Sequence, residues 1–378
     1  MKSKKYYRIF SILIVLFLLF SSKVFSQVYV PVLRTYLDEK ISENSGLICY
    51  DGELWTHNDS GGESKLYNID INTGLIKRTK IIRNAVNRDW EDICMDGKYA
   101  YIGDIGNNSG TLDYFTIYKI LLEDLNSGLL DSIDSEKIIF TYDPIHYNKQ
   151  IKNDINKTNF DCEAMIVKGD SIYLFSKNWI DKKCYFYSIP KKPGKYIANL
   201  RDSIDTKGLI CGADYNEETN TLALVGYVYG IPAPSILMLL SDFEGDNFFK
   251  GNFIRKELEL IGTQTESIVF INDTTLWISN EAFLGHKQAL YEVIIKNDFL
   301  SFELSSSEDN DIFIFNNNNA GRYKLKIINN NGKIISEVPK RKYLEGTYSI
   351  KIPQLDRGEY IMTFFNSRIS FNIRFCKS

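Results

Sequence analysis

Three glutamates occupy the same place in three copies of one short pattern: Trp90-Glu91-Asp92-Ile93, Cys162-Glu163-Ala164-Met165 and Thr265-Glu266-Ser267-Ile268. Asp214 lies two residues beyond that place in a further copy, and Glu43 two before it in the first. Ser45 and Gly212 fill the aligned place in those two copies. Along a strand an offset of two keeps a side chain on the same face. Up to five carboxylates are therefore expected around one opening, where they repel each other unless a cation or proton neutralises them. Asp, Glu and Asn supply oxygen ligands, which suit Ca²⁺ ahead of Mg²⁺. The expected metal ligands are Glu91, Glu163, Glu266, Asp104, Asn108 and Asp214. His57, Asp59 and Asp92 are the candidates for moving protons, His57 as general base or electrophilic donor. The plainer reading is that each Glu binds main-chain N–H groups of a neighbouring element and holds the fold together.

The elements that must position these residues are short strands. Five copies are visible, starting near Ser45, Glu91, Glu163, Gly212 and Glu266, each with a second apolar run ending in Asn, Asp or Gly and a third containing Tyr or Leu. Asp51-Gly52, Asp96-Gly97, Gly169-Asp170 and Asn272-Asp273 separate first from second runs and predict tight hairpins. Fourth runs follow, at 75–83, 137–142, 195–200 and 248–258. Four-stranded units whose aligned positions lie 46, 72, 49 and 54 residues apart predict an all-β chain with a β-propeller of five or six blades. Residues 28–37 form a strand with no partner in the first unit, so they complete the last blade and close the ring. The polar stretch 148–159 is a surface insertion.

The ends carry other signals. Residues 1–26 read as a signal peptide: Lys2, Lys4, Lys5 and Arg8 precede an apolar run, and a small residue stands before Gln27. The protein is then secreted or held at the cell surface. The full chain has 45 basic and 48 acidic residues; this segment holds five of the basic ones, leaving 40 against 48, a net of −8. An acidic exported chain without a basic patch argues against a nucleic-acid partner. The six cysteines lack metal-type spacing and read as buried free thiols, with a single Cys162–Cys184 bridge as the alternative. The propeller is assigned to 27–304. Beyond it, residues 305–378 read as a small β-sandwich.

The strings Leu54-Trp55-Thr56-His57-Asn58-Asp59-Ser60-Gly61-Gly62, Asp89-Trp90-Glu91-Asp92-Ile93 and Gly103-Asp104-Ile105-Gly106-Asn107-Asn108 resemble a class of exported Bacteroidetes propellers. These are distantly similar to phytase-like and gluconolactonase-like propellers. The resemblance implies a divalent metal at the channel mouth and, in some members, hydrolysis of phosphoesters or lactones, with Glu91, Asp92, Asp104 and Asn108 as the matching positions. The C-terminal strings Lys324-Leu325-Lys326-Ile327-Ile328-Asn329 and Leu355-Asp356-Arg357-Gly358-Glu359-Tyr360 resemble the sorting domain of type IX secretion substrates, which implies that secretion machinery as a partner. Two functions stand side by side: a monomeric metal-dependent hydrolase of a small phosphoester, lactone or ester, and a non-catalytic module binding a glycan or protein at the cell surface.

Overall fold

A computed structural model describes residues 29–128, 130–147, 154–295, 302–306, 310–317, 321–344, 346–366 and 369–377. Residues 1–26, expected to be a signal peptide, and residues 148–153 of the polar stretch lie outside these.

Five antiparallel sheets stand in sequence. Blade one comprises Asn44–Tyr50, Glu53–Asn58, Lys65–Ile69 and Ile76–Arg83. Blade two comprises Trp90–Met95, Tyr99–Asp104, Phe115–Leu121 and Glu136–Tyr142. Blade three comprises Cys162–Lys168, Ser171–Ser176, Cys184–Pro190 and Gly194–Ile204, and blade four Leu209–Asn216, Thr221–Tyr227, Pro234–Ser241 and Asn252–Ile261. Blade five takes Thr265–Asn272, Thr275–Asn280 and Ala289–Ile294 from the end of the repeat region and its fourth strand, Val32–Tyr36, from the beginning. The innermost strands contact one another in a closed cycle, blade five's returning to blade one's. That cycle makes the fold a five-bladed β-propeller, ring-closed by the N-terminal strand.

Local chemistry explains the hairpins. Asp51 and Gly52 both have positive φ (51° and 73°) between the paired residues Tyr50 and Glu53. That geometry matches the right-handed twist of the flanking strands. The blades then bury their apolar faces against each other. Trp55 and Trp90 sit between blades one and two, and Phe175 and Phe186 meet Phe248 and Phe249 between blades three and four. All six cysteines are free thiols, four of them buried.

Three features depart from a ring of independent blades, the first being Ser132–Asp134, which leaves blade two's segment to pair in parallel with blade one's outer strand. The outer strands of blades two and three pair in parallel, Ile138 opposite Gly194 through Tyr142 opposite Ala198, merging the two sheets into one of eight strands. The C-terminal strands also do more than follow the propeller. Ile369–Lys377 pairs antiparallel with the outer strand of blade four, so Gly321–Asn329, Ile334–Tyr343 and Gly358–Phe365 continue that blade's sheet. A three-stranded sheet, Phe302–Ser306, Asn310–Asn317 and Gly346–Pro353, belongs to the same C-terminal region. Phe313, Tyr323, Leu325 and Phe364 share one apolar core, and Ile254 of blade four joins it.

Candidate functional site at the channel mouth

Every innermost strand carries a β-bulge at one equivalent position. The register skips one residue between Ser45 and Leu47, Trp90 and Asp92, Cys162 and Ala164, Ile210 and Gly212, and Thr265 and Ser267. The unpaired residues are Gly46, Glu91, Glu163, Cys211 and Glu266. A bulge frees one residue from the ladder and re-aims its side chain, and here it does so five times around one axis. The ring therefore differs by one residue from the sequence alignment in two blades, with Gly46 in place of Ser45 and Cys211 in place of Gly212.

Carboxylates gather around this ring. Ligand atoms of Asp59, Asp89 and Glu91 lie within 4.8 Å of one another, as do those of Glu91, Asp161 and Glu163, and those of Glu163, Cys211 and Glu266. The three sets share Glu91 and Glu163 and form one arc. Glu281 lies at its far end, where the Gln264 side-chain amide donates to both Glu281 and Glu266. Lys177 reaches in from the end of blade three's second strand, 2.8 Å from Glu163. Its buried ammonium also lies 5.1 Å from the Trp179 ring centre and 5.4 Å from that of Tyr227.

Burial dominates the electrostatics. It pushes Asp89 up to about 7, helped by the charges of Asp161 and Asp104. Glu281 rises to about 8 through burial and then Glu266. Asp59 and Glu91 are also raised well above the carboxylate range, burial first and their acidic neighbours next, and Glu163 is raised by burial against the opposing charge of Lys177. For Lys177, burial alone would lower the pKa; Cys211, Glu163, Tyr227 and Glu266 outweigh it and hold the ammonium charged. Near neutral pH the arc thus carries more acid groups than it can ionise without a counter-charge.

Two details bear on what could fill the arc. A Cβ on Gly106 would stand 2.0 Å from Glu91 Oε1 and 2.4 Å from Asp89 Oδ2, so the main chain passes directly over the carboxylates and leaves no room for a side chain. Asp59 Oδ1 is buried and has no hydrogen-bond partner among the described residues. A buried carboxylate oxygen without a donor is costly, and beside Asp89 and Glu91 it is a ligand atom in waiting for a hard cation. Asp161, by contrast, is held in place by the Asn107 N–H at 2.6 Å and the Trp179 indole N–H at 2.7 Å.

The remaining sequence candidates are placed elsewhere. Asp92, one residue past the bulge, accepts from the Ile93 and Met165 N–H groups at 2.8 Å each, tying blade two to blade three. Asp214, three past the bulge in blade four, accepts from the Phe270 N–H at 2.7 Å and ties blade four to blade five. Asp104 accepts from the N–H groups of Arg88 and Asp89 at 3.0 and 2.9 Å and from the Arg88 side chain at 2.7 Å. Asn108 and Glu43 are exposed. His57 is fully buried; its ring lies against Gly46 and Ile93 and packs edge-on to Trp90 at 5.6 Å. Burial pushes its pKa down to about 4, which keeps it neutral. Asp92, Asp104, Asp214 and His57 thus serve the frame of the ring.

The residues that sequence reasoning did not single out are Asp89, Asp161, Cys211 and Gln264; Glu281 and Lys177 stand at the ends of second runs, where polar residues are expected to converge on the opening, but were not among the expected ligands. Asp89, Asp161 and Gln264 stand two residues before the three glutamates, so the offset-of-two rule applied to Glu43 would have found them.

No family model matches the chain, and no curated protein matches it. Solved structures similar to it include an exo-β-1,3-galactanase from Phanerochaete chrysosporium with β-1,3-galactotriose (7% identity, 92% of this chain and 96% of that one, TM-score 0.40). A mannose phosphorylase from Leishmania mexicana in complex with phosphate ion is similar at 8% identity, over 71% of this chain and 89% of that one (TM-score 0.38). A protein from Lactobacillus plantarum is similar at 11% identity, over 81% and 98% (TM-score 0.26). Likeness at this level says nothing about activity, and the propeller rests on the strand pairing.

Proposed function

We propose that the channel mouth binds a divalent cation, Ca²⁺ ahead of Mg²⁺, and that the loaded site hydrolyses a small phosphoester, lactone or ester. The observation that carries this reading is the Asp59–Asp89–Glu91 set, three carboxylates within 4.8 Å of one another beneath Gly106, one of them with an unpartnered buried oxygen. Those three residues would hold the ion. When bound, a divalent cation polarises a substrate oxygen and lowers the pKa of a coordinated water. The rest of the arc has its own tasks. Glu281, protonated up to about pH 8, is a proton donor for a leaving oxygen at neutral pH. Lys177 is a fixed positive charge for an oxyanion, and Asp161, locked by two donors, is a positioning residue for Glu91 and Glu163.

Calorimetric titration with CaCl₂ and MgCl₂ tests the reading. Binding of one equivalent at micromolar to millimolar concentration is expected, abolished by Glu91→Gln. A screen of ester, lactone and phosphoester substrates should then give turnover that chelation removes. Absence of heat with either cation would sink the proposal.

A further inference from the structure

A second site lies away from the mouth, on the seam where blades two and three merge. A groove of about 780 Å³ runs along it. Its floor is three adjacent strands, Phe115–Leu121, Glu136–Tyr142 and Gly194–Ile204, joined by one antiparallel and one parallel ladder. Side chains alternate along strands, so one face presents Thr116 and Tyr118, then Lys137, Ile139 and Thr141, then Lys195 and Ile197 in a flat array. The register sets Lys137 opposite Tyr118 and Lys195 opposite Ile139. Tyr114, half exposed, forms part of the wall with the Arg88 guanidinium 5.0 Å from its ring centre.

Cations outnumber acids in this groove. Arg88, Lys137 and Lys195 line it against a single acid, Asp113, in a chain with an excess of acidic residues. Arg88 is engaged by Asp104 and by the Tyr114 carbonyl, whereas Lys137 and Lys195 are exposed. The cations are spread over two strands, carrying Lys137 and Lys195, and the loop before Trp90–Met95, carrying Arg88, rather than converging on one point. The part-buried Thr141, the half-exposed Tyr114 ring and the exposed Ile197 lie between them. A compact anion such as phosphate would use one or two of these groups. An extended anion with flat, hydroxylated rings would use all of them, through charge, hydrogen bonds and stacking on Tyr114.

We propose that this seam is an accessory binding site for an acidic polysaccharide of the uronate type. Its carboxylates pair with Lys137, Lys195 and Arg88, and a sugar ring stacks on Tyr114. The site is independent of the channel mouth and of any cation there.

Affinity electrophoresis and calorimetry with polygalacturonate test this, with neutral galactan and poly-glutamate as comparators. Retardation by polygalacturonate alone is expected, weakening steeply between 50 and 300 mM NaCl. The exposed double substitution Lys137→Glu with Lys195→Glu should weaken it at least tenfold, and Tyr114→Ala severalfold. Glu91→Gln should bind as the parent does, which separates this site from the mouth. Equal binding to neutral galactan, equal binding to poly-glutamate, no binding to any polymer, or binding unaffected by the double substitution would each overturn the proposal. Circular dichroism of the variants guards against misfolding, and Lys137→Gln with Lys195→Gln should give an intermediate loss if charge is the cause.

Discussion

At the residue scale, one main-chain glycine and one buried acid separate binding from support. Gly106→Ala places a methyl where Glu91 and Asp89 now sit. It is expected to abolish stabilisation by Ca²⁺ while leaving a folded protein, as read by the shift in melting temperature with and without the ion. Asp92→Asn exchanges an acceptor of two buried N–H groups for a side chain with only one acceptor oxygen. A loss on the order of 1–3 kcal/mol is expected for an unsatisfied buried donor, measured by urea unfolding, with Ca²⁺ binding retained. The opposite roles of Glu91 and Asp92 were not legible in the sequence, where both are acids in one strand. The reason is the bulge. Period-two alternation predicts facing only within an unbroken ladder, and a residue left out of the ladder shifts everything after it by one. The same one-residue ambiguity put Ser45 and Gly212 where Gly46 and Cys211 belong. It also made Asp214, an even offset from Gly212, look as if it faced the mouth, although it is an odd offset from Cys211.

At the element scale, the strands and their order were largely readable, because Val, Ile, Tyr and Leu runs broken by Asp-Gly and Asn-Asp leave little else for the chain to form. Fourth strands in blades one to four fall within a few residues of their apolar runs. The pairing of Ile369–Lys377 with blade four was not readable, since edge-to-edge pairing depends on which backbone is left unpaired and not on side-chain pattern. Ring closure by Val32–Tyr36 gives a direct test. Deleting residues 29–37 removes four ladder positions on Ala289–Ile294. It also breaks the Leu37 and Gln288 main-chain contact at 3.1 Å. At about 1 kcal/mol for each lost backbone hydrogen bond, a fall of several kcal/mol in unfolding free energy is expected. The bared edge of blade five should also promote association visible by light scattering.

At the scale of the whole molecule, the buried arc makes stability depend on pH and cation together. Asp89 and Glu281 stay protonated in the folded protein up to about pH 7 and 8, whereas in the unfolded chain they ionise near pH 4. Between those limits the folded state binds more protons, so stability falls as pH rises through 7 to 8. Without divalent cation, the melting temperature is expected to drop from pH 5 to pH 9, and millimolar Ca²⁺ should flatten the drop. The same linkage predicts proton release on Ca²⁺ binding at pH 6, read with a pH indicator in weak buffer. His57 acts in the other direction. With its folded pKa near 4 against about 6.5 unfolded, it contributes stability above pH 6.5 that is lost as pH falls toward 4. At about 1.4 kcal/mol for each pH unit, roughly 3 kcal/mol is involved, and an acid-unfolding curve measures it.

The strand that closes the ring also sets a timetable. Arg34 forms its ion pair with Glu292 across 258 residues of chain, so blade five cannot gain its outer strand until all four other blades have been made. Contacts this distant in sequence close slowly. A chain delivered N-terminus first holds residues 32–36 unpaired until nearly the whole propeller has followed. Meanwhile those residues are a free strand, open to capture by any exposed sheet edge, and the last step of folding is a reunion of the chain's first strand with its last blade.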